Sequence, residues 1–295
     1  MIGELAKIIK RTNIYTDEPL KKHSTFKIGG KCDYLLYPES FLELSNLISF
    51  IKKKNIPYHV VGNGSNILFS DDGFSGIIIK TRRLDKLTVS GNIITADSGV
   101  LLSKLCDAAI ENSLDGIVSL SGIPGTVGGA VYMNAGAYGT EIKDVLIYSY
   151  YLDENSEIKK LSAEEHNFKY RHSFFTGTSN IILKSEFRLN DGDALEMKEN
   201  TAKLLKKRAE KQPLNFPSGG STFKRPNGKY AGELIQECGL KGYTIGGAQV
   251  SEKHSGFVIN LGNATEKDIK ALIEHIKNEV YKKYNIELEK EILYL

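Results

Sequence analysis

The sequence predicts a protein of mixed strands and helices in two or three domains, and three observations carry that reading. At 295 residues the chain is longer than one small core requires. Strand-like and helix-period runs both recur along it, and neighbouring strand-like runs are joined by short polar turns of the hairpin kind. A Pro/Gly/Ser break, "PLNFPSGGS" (213–221), interrupts the pattern late in the chain.

The elements follow in order. "MIGELAKIIKR" reads as a short amphipathic helix; it lacks the apolar core and small-residue cleavage site of a signal peptide. "DYLLYP" is a short strand. In "FLELSNLISFIKKKN", Phe41, Leu42, Leu44, Leu47, Ile48 and Ile51 recur at helical spacing and the run ends in lysines that suit a helix C-terminus. "IPYHVVGNGSNILFSDDGFSGIIIK" gives a strand, a polar glycine loop and two short strands around Asp-Gly. The texture changes near residue 84, where "KLTVSGNIITADSG" is a hairpin, "LLSKLCDAAIEN" a helix and "KDVLIYSYYLDENSEIKKL" a second hairpin. "NIILKSEFRL" adds a strand. A charged helix, "DALEMKENTAKLLKKRAEKQ", opens a last region holding a helix at "YAGELIQECG", a strand at "GFVINL" and a final helix. In that helix Ile269, Leu272, Ile273, Ile276 and Val280 share one face, and "IELEKEILYL" alternates as a strand does. The implied boundaries are 1–83, 84–192 and 193–295.

Composition excludes several functions. Hydrophobic content of 41% and charged content of 25% are those of an ordinary soluble domain. A net charge of +3 leaves no footprint for nucleic acid, and lysine runs such as Lys52–Lys54 read as solvated helix faces. No run approaches the roughly 18 apolar residues of a membrane span. Cys32, Cys106 and Cys238 are odd in number and far apart, as reduced cytoplasmic thiols are. The six histidines form no metal-ligating cluster, so no metal is expected.

Two glycine segments carry the chemistry. "VVGNGSN" (60–66) follows a strand, but it lacks the third glycine and the helix of a dinucleotide fingerprint. What remains is a loop able to turn consecutive N–H groups into one concavity, a nest suited to phosphate oxygens. "SGIPGTVGGAVYMNAGAYG" (121–139) has six glycines and almost no charge. Each glycine costs about 0.5–1 kcal/mol inside a regular element, so their use implies something lying close to the backbone. Two such loops, in regions that read as different subdomains, suggest an extended cofactor between them. Three polar residues also stand out: Arg171 between aromatics in "YRHSFF", Ser221 behind two glycines in "SGGSTFKRP", and Glu291 in the apolar terminal "LEKEILYL". Spacing alone leaves each with an ordinary structural explanation.

These segments together resemble the MurB family of flavoenzymes in peptidoglycan precursor synthesis. The resemblance runs from "HSTFKIGG" to the C-terminus through "VGNGSN", "SGIPGTVGGAVYMNAGAYG", "YRHSFF", "GGSTFKRP", "GLKGYTIGGAQVSEKHSGFVIN" and "LEKEILYL", in family order. The short connection into "PSGGSTF" looks like the form lacking an extra tyrosine-bearing loop.

The resemblance implies an FAD-binding fold of the vanillyl-alcohol-oxidase/PCMH type. Residues 1–83 and 84–192 would be its two α+β subdomains, and 193–295 an α+β substrate-binding domain. FAD would lie non-covalently on Val61, Gly62, Asn63, Gly64, Ser65, Asn66 and Ile67, with Gly125, Thr126, Gly128, Gly129 and Ile182 on its other side. Gly64 and Gly129 would then refuse bulky side chains. Tyr138, Lys211, Lys224 and His254 would face a UDP-sugar substrate. NADPH would reduce the flavin and leave; hydride would then pass to the terminal alkene carbon of the enolpyruvyl sugar. Arg171, with Glu291 as a neutral acid, would stabilise the enolate-like oxyanion, and Ser221 would protonate the adjacent carbon. Lys290 stands where the family commonly has proline, beside Glu291 and not at it. Cysteine usage, charge and composition point to a cytoplasmic protein with no nucleic-acid partner and no membrane insertion, and a monomer is expected. A small-alcohol oxidase of the same fold is disfavoured because neither glycine loop offers a His or Cys tether. A non-catalytic UDP-sugar binder would not need Arg171, Ser221 and Glu291.

Overall fold

The computed structural model describes residues 1–226 and 228–295. The chain divides into two compact units that interleave along the sequence. Unit 1 comprises 1–16, 34–63 and 76–206; unit 2 comprises 17–33, 64–75 and 207–295. This division differs from consecutive boundaries at 83 and 192. Two short N-terminal segments pack with the C-terminal region, and the helix Ala194–Lys211 stays with unit 1 as far as Lys206.

Unit 1 holds two large cores among the described residues. In the first, the helix Phe41–Lys53 buries Leu44, Leu47, Ile48 and Ile51 against Ile77 and Ile79. Ser40 caps that helix by accepting from Glu43 N–H at 3.2 Å, and lysines occupy its last turn. The strand Tyr58–Val61 runs parallel to Phe74–Lys80, with Val61 opposite Lys80. The second core lies on a five-stranded antiparallel sheet in the order 158–162, 146–152, 181–188, 93–97, 87–90. The helices Leu102–Glu111 and Val127–Tyr132 pack on it through Leu102, Leu105, Cys106, Val127 and Val131.

The helix Val127–Tyr132 sits inside the glycine-rich segment, where periodicity predicts none. Thr126 caps it, its hydroxyl accepting from Gly129 N–H at 3.4 Å. Two further elements differ from expectation. Regular helix at the N-terminus covers only Ile2–Leu5, after which tight turns carry the chain on; Leu5 and Ile9 are both buried. The alternating tail is extended, but regular pairing is confined to Leu293–Tyr294.

In unit 2 the strands Thr244–Ile245, Ala248–Val250 and Val258–Asn260 form an antiparallel sheet. The helix Glu266–Tyr284 covers it, with Ile269, Leu272, Ile273, Ile276 and Val280 fully buried. Thr265 and Asp268 close its N-terminus as a capping box. Leu293–Tyr294 pairs parallel to Ile67–Leu68, and the Leu295 carbonyl accepts from Ser70 N–H at 2.7 Å.

Candidate active site

The first glycine loop is divided between the units after Asn63. On the unit 1 side it meets the second glycine segment directly. Asn63 Nδ2 donates to the Pro124 carbonyl at 2.6 Å, and a Cβ on Gly62 would stand 2.3 Å from the Thr126 hydroxyl. The two segments, read from sequence as separate subdomains, therefore touch within one unit. Val61 is buried in its strand and has only its backbone to offer a ligand.

On the unit 2 side, Gly64 has φ +74°, and a Cβ there would lie 2.1 Å from the His23 carbonyl. Glycine is required here by the chain itself. The Gly64 carbonyl accepts from Thr25 N–H at 3.1 Å, Asn66 Nδ2 donates to the Glu291 carbonyl at 3.1 Å, and the Ile67 carbonyl accepts from Ser24 Oγ at 2.8 Å. The carbonyls of Gly64 and Ile67 are thus used. The loop's N–H groups are not: among the described residues, those of Gly62, Asn63, Gly64, Ser65 and Asn66 donate to no carbonyl or side chain. A run of unused donors is what an anionic group such as a pyrophosphate needs.

The second segment is arranged differently. The Gly125 carbonyl accepts from Leu102 N–H at 3.0 Å, Val127 N–H donates to Val100 at 2.8 Å, and Gly128 N–H donates to Ser98 at 2.9 Å. A Cβ on Gly128 would meet Ser98 Cβ at 2.8 Å. Gly129 is the exception, because a Cβ there would make only an ordinary 3.6 Å contact with Thr126. Ser98 Oγ and Ser121 Oγ are buried without a partner among the described residues. The chain itself thus accounts for Gly128, whereas Gly129 leaves room for a ligand beside the backbone. Ile182 lies 7% exposed in the five-stranded sheet, opposite Tyr151.

Arg171 occupies a tight corner of unit 1 with φ 53°, its guanidinium 4.8 Å from the Tyr170 ring centroid. Lys169 and His172 close the corner with backbone bonds of 3.1 and 3.2 Å, and Ser173 Oγ fastens the next residue to the Tyr132 carbonyl at 2.8 Å. Below it, His166 is fully buried. Its Nδ1 lies 2.6 Å from the Ser162 carbonyl, which makes that nitrogen the donor, so Nε2 accepts from Ser149 Oγ at 3.0 Å. Burial holds its imidazole below the usual histidine value and hence neutral. Tyr138 stands 47% exposed at another corner, with φ 52° and its hydroxyl 3.4 Å from the Leu204 carbonyl.

Unit 2 brings Ser221 and Glu291 onto neighbouring segments. Glu291 N–H donates to the Thr222 carbonyl at 2.8 Å, and Lys224 N–H to the Glu289 carbonyl at 2.8 Å. Ser221 is exposed, while Thr222 beside it is buried and receives Val258 N–H on its hydroxyl at 3.0 Å. Glu291 lies in an extended stretch before the terminal strand and not within it. Lys224 is ion-paired with Glu289, and Lys211 is exposed at a helix end. His254 Nδ1 accepts from Gly256 N–H at 3.1 Å, leaving Nε2 as its donor; burial lowers its proton affinity.

Sequence reading missed two groups. Lys80 ends an apolar strand, is 3% exposed and lies in register with Val61; burial, then Arg82, pushes its ammonium down to about 8. A lysine closing "GIIIK" was the available signal. Asn134, fully buried at the end of the helix Val127–Tyr132, was hidden inside the glycine segment.

The chain is similar to known proteins over nearly its whole length. Residues 32–162 match an FAD binding domain, and residues 212–295 match the UDP-N-acetylenolpyruvoylglucosamine reductase C-terminal domain. The UDP-N-acetylenolpyruvoylglucosamine reductase of Caldanaerobacter subterraneus subsp. tengcongensis is 47% identical over 292 residues, covering 99% of this chain and 97% of that one. The reductase of Clostridium perfringens strain SM101 is 44% identical over 288 residues, or 98% and 95% of the two chains. The crystal structure of MurB from Thermus caldophilus superposes with a TM-score of 0.80 at 32% identity, over 95% of this chain and 97% of the other. Wild-type Phl p 4.0202, a glucose dehydrogenase, shares the fold alone, with a TM-score of 0.52 at 14% identity over 95% of this chain and 58% of its own. No helix among the described residues is long and apolar enough to cross a membrane. With both halves matched and the fold in common, the chain belongs to the MurB family of FAD-dependent UDP-N-acetylenolpyruvoylglucosamine reductases.

Proposed function

We propose that this chain reduces the enolpyruvyl double bond of UDP-N-acetylglucosamine enolpyruvate to give UDP-N-acetylmuramate, drawing its electrons from NADPH. It works as a monomer in the cytoplasm. The run of unused N–H donors from Gly62 to Asn66, in a chain of this family, carries the reading. FAD, when bound, supplies the hydride that the terminal alkene carbon receives. Gly62–Asn66 would hold its pyrophosphate, framed by the backbones of Val61 and Ile67, and Gly125, Thr126, Gly128, Gly129 and Ile182 would wall it. By role, residues 1–83 and 84–192 serve the flavin and 193–295 the sugar nucleotide.

The chain's own residues complete the addition. Negative charge that builds on the substrate as hydride arrives is met by Arg171, which stays charged at any working pH. Glu291 assists from the segment beside Thr222. Ser221 then gives its hydroxyl proton to the carbon next to the reduced one, so hydride and proton add across one C=C bond. A hydroxyl is a weak acid, and it serves here only within hydrogen-bond reach of a strongly basic carbon. Its exposure leaves room for that approach. Tyr138, Lys211, Lys224 and His254 orient the UDP-sugar, with Lys224 exchanging Glu289 for a phosphate oxygen.

The test separates the half-reactions by stopped flow. Ser221→Ala should keep FAD content and bleaching by NADPH, while reoxidation by the enolpyruvyl sugar slows by about two to four orders of magnitude. Equal slowing of both would make Ser221 structural. Reoxidation by oxygen with an alcohol substrate would favour the oxidase reading, and sugar binding without reoxidation the simple binder.

A further inference from the structure

Two hairpin corners of unit 1 carry residues assigned above to the substrate. Gly136–Ala137 pairs antiparallel with Thr140–Glu141, with Tyr138 and Gly139 at the corner, both at positive φ. Lys169 and His172 pair around the second corner, which presents Arg171. One side chain joins the two. Asn134 Nδ2 donates to Glu141 Oε2 at 3.0 Å and to the Lys169 carbonyl at 3.2 Å. Its Oδ1 accepts from Lys143 N–H at 3.0 Å. Two acceptors on one side and a donor on the other fix the amide orientation.

Few residue types could do this. The backbone at Asn134 has φ 42°, a conformation that asparagine tolerates better than most side chains. Aspartate would turn an acceptor toward the Glu141 carboxylate and the Lys169 carbonyl. Glu141 is itself steadied by Lys143 Nζ at 2.9 Å, and its N–H by Asp144 at 2.7 Å. Full burial of Asn134 makes each of these bonds costly to lose.

We propose that Asn134 is a positioning residue that fixes the Arg171 corner against the Tyr138 corner, and so sets where the guanidinium stands relative to the substrate oxyanion. This rests on the assignment of Arg171 made above. Asn134 touches no reacting atom; it acts through the Lys169 carbonyl.

The experiment is a double-mutant cycle read in both half-reactions on the FAD-loaded enzyme. Asn134→Gly keeps the left-handed backbone accessible and removes all three bonds. Bleaching by NADPH should stay within about two-fold of the parent, while reduction of the enolpyruvyl sugar slows about 10- to 100-fold. Arg171→Ala should slow that step further, and the double variant should be no slower than Arg171→Ala alone. Independent losses that multiply, or equal slowing of both half-reactions, would overturn the proposal. If Arg171→Ala reduces the sugar at the parental rate, the Arg171 assignment falls and this inference with it. If Arg171→Ala is slow but Asn134→Gly is not, only the inference falls. Should Asn134→Gly fail to fold, Asn134→Asp, which keeps the acceptor and loses both donors, is read by the same criteria.

Discussion

Gly64 and Gly129 both lie in glycine-rich segments, yet their surroundings set them apart. At Gly64 the chain itself forbids a side chain, through positive φ and the His23 carbonyl 2.1 Å from where a Cβ would be. At Gly129 the backbone is helical, and a Cβ would make only one ordinary contact at 3.6 Å. Glycine enrichment alone therefore does not mark a ligand wall. At Gly129 the protein gives no reason of its own for the missing side chain, and that supports the role proposed for it beside the flavin.

The sharpest break in this comparison is Gly64→Val. Backbone strain and the carbonyl clash should cost about 3 kcal/mol or more, with or without flavin. Thermal unfolding of the flavin-stripped protein checks it; an unchanged midpoint would remove the distinction. Thr126→Ala should cost about 1 kcal/mol through the lost cap, again in stripped protein, because Thr126 serves the helix and fills the space above Gly62. Gly129→Ala should reverse the sign. The stripped protein should gain up to about 1 kcal/mol, since alanine suits a helix better, while flavin fluorescence titration shows weaker binding. Unweakened binding would leave Gly129 without a role at the cofactor.

The smallest effect concerns pH. His166 and His254 are both held below their ordinary value by burial. Each therefore contributes stability that is whole above the unfolded value of about 6.5 and is lost as pH falls through the depressed folded value. Denaturant melts from pH 7.5 down to 5 should show stability falling, and His166→Asn should flatten part of that slope. Stability that rises toward pH 5 would contradict the neutral assignment.

The same contrast explains what was legible in the sequence. The helices 41–53, 102–111 and 266–284 show themselves by periodicity, because a face of Leu and Ile must meet a core. The helix Val127–Tyr132 does not: two glycines in six residues argue against it, and packing on the five-stranded sheet overrides them. In "IELEKEILYL", Leu288 and Ile292 are buried as the alternation implies, but only Leu293 and Tyr294 find a partner strand. Candidate residues were legible through a family's motifs, whereas their supports were not. That Asn134 joins two corners depends on backbone conformations at Tyr138 and Arg171, which no residue type in "GAYG" or "YRHS" dictates.

The pairing of Ile67–Leu68 with Leu293–Tyr294 also bears on how the molecule is made. A ribosome adding roughly 5–20 residues per second needs on the order of tens of seconds to pass from one strand to its partner. During that interval Phe26, Ile28 and Leu68, which belong to the unit 2 core, have been synthesised while Ile273, Ile276 and Ile292 have not. Unit 2 can close only after translation reaches the last residues, so a nascent chain halted near residue 260 should remain protease-sensitive at 17–33 and 64–75.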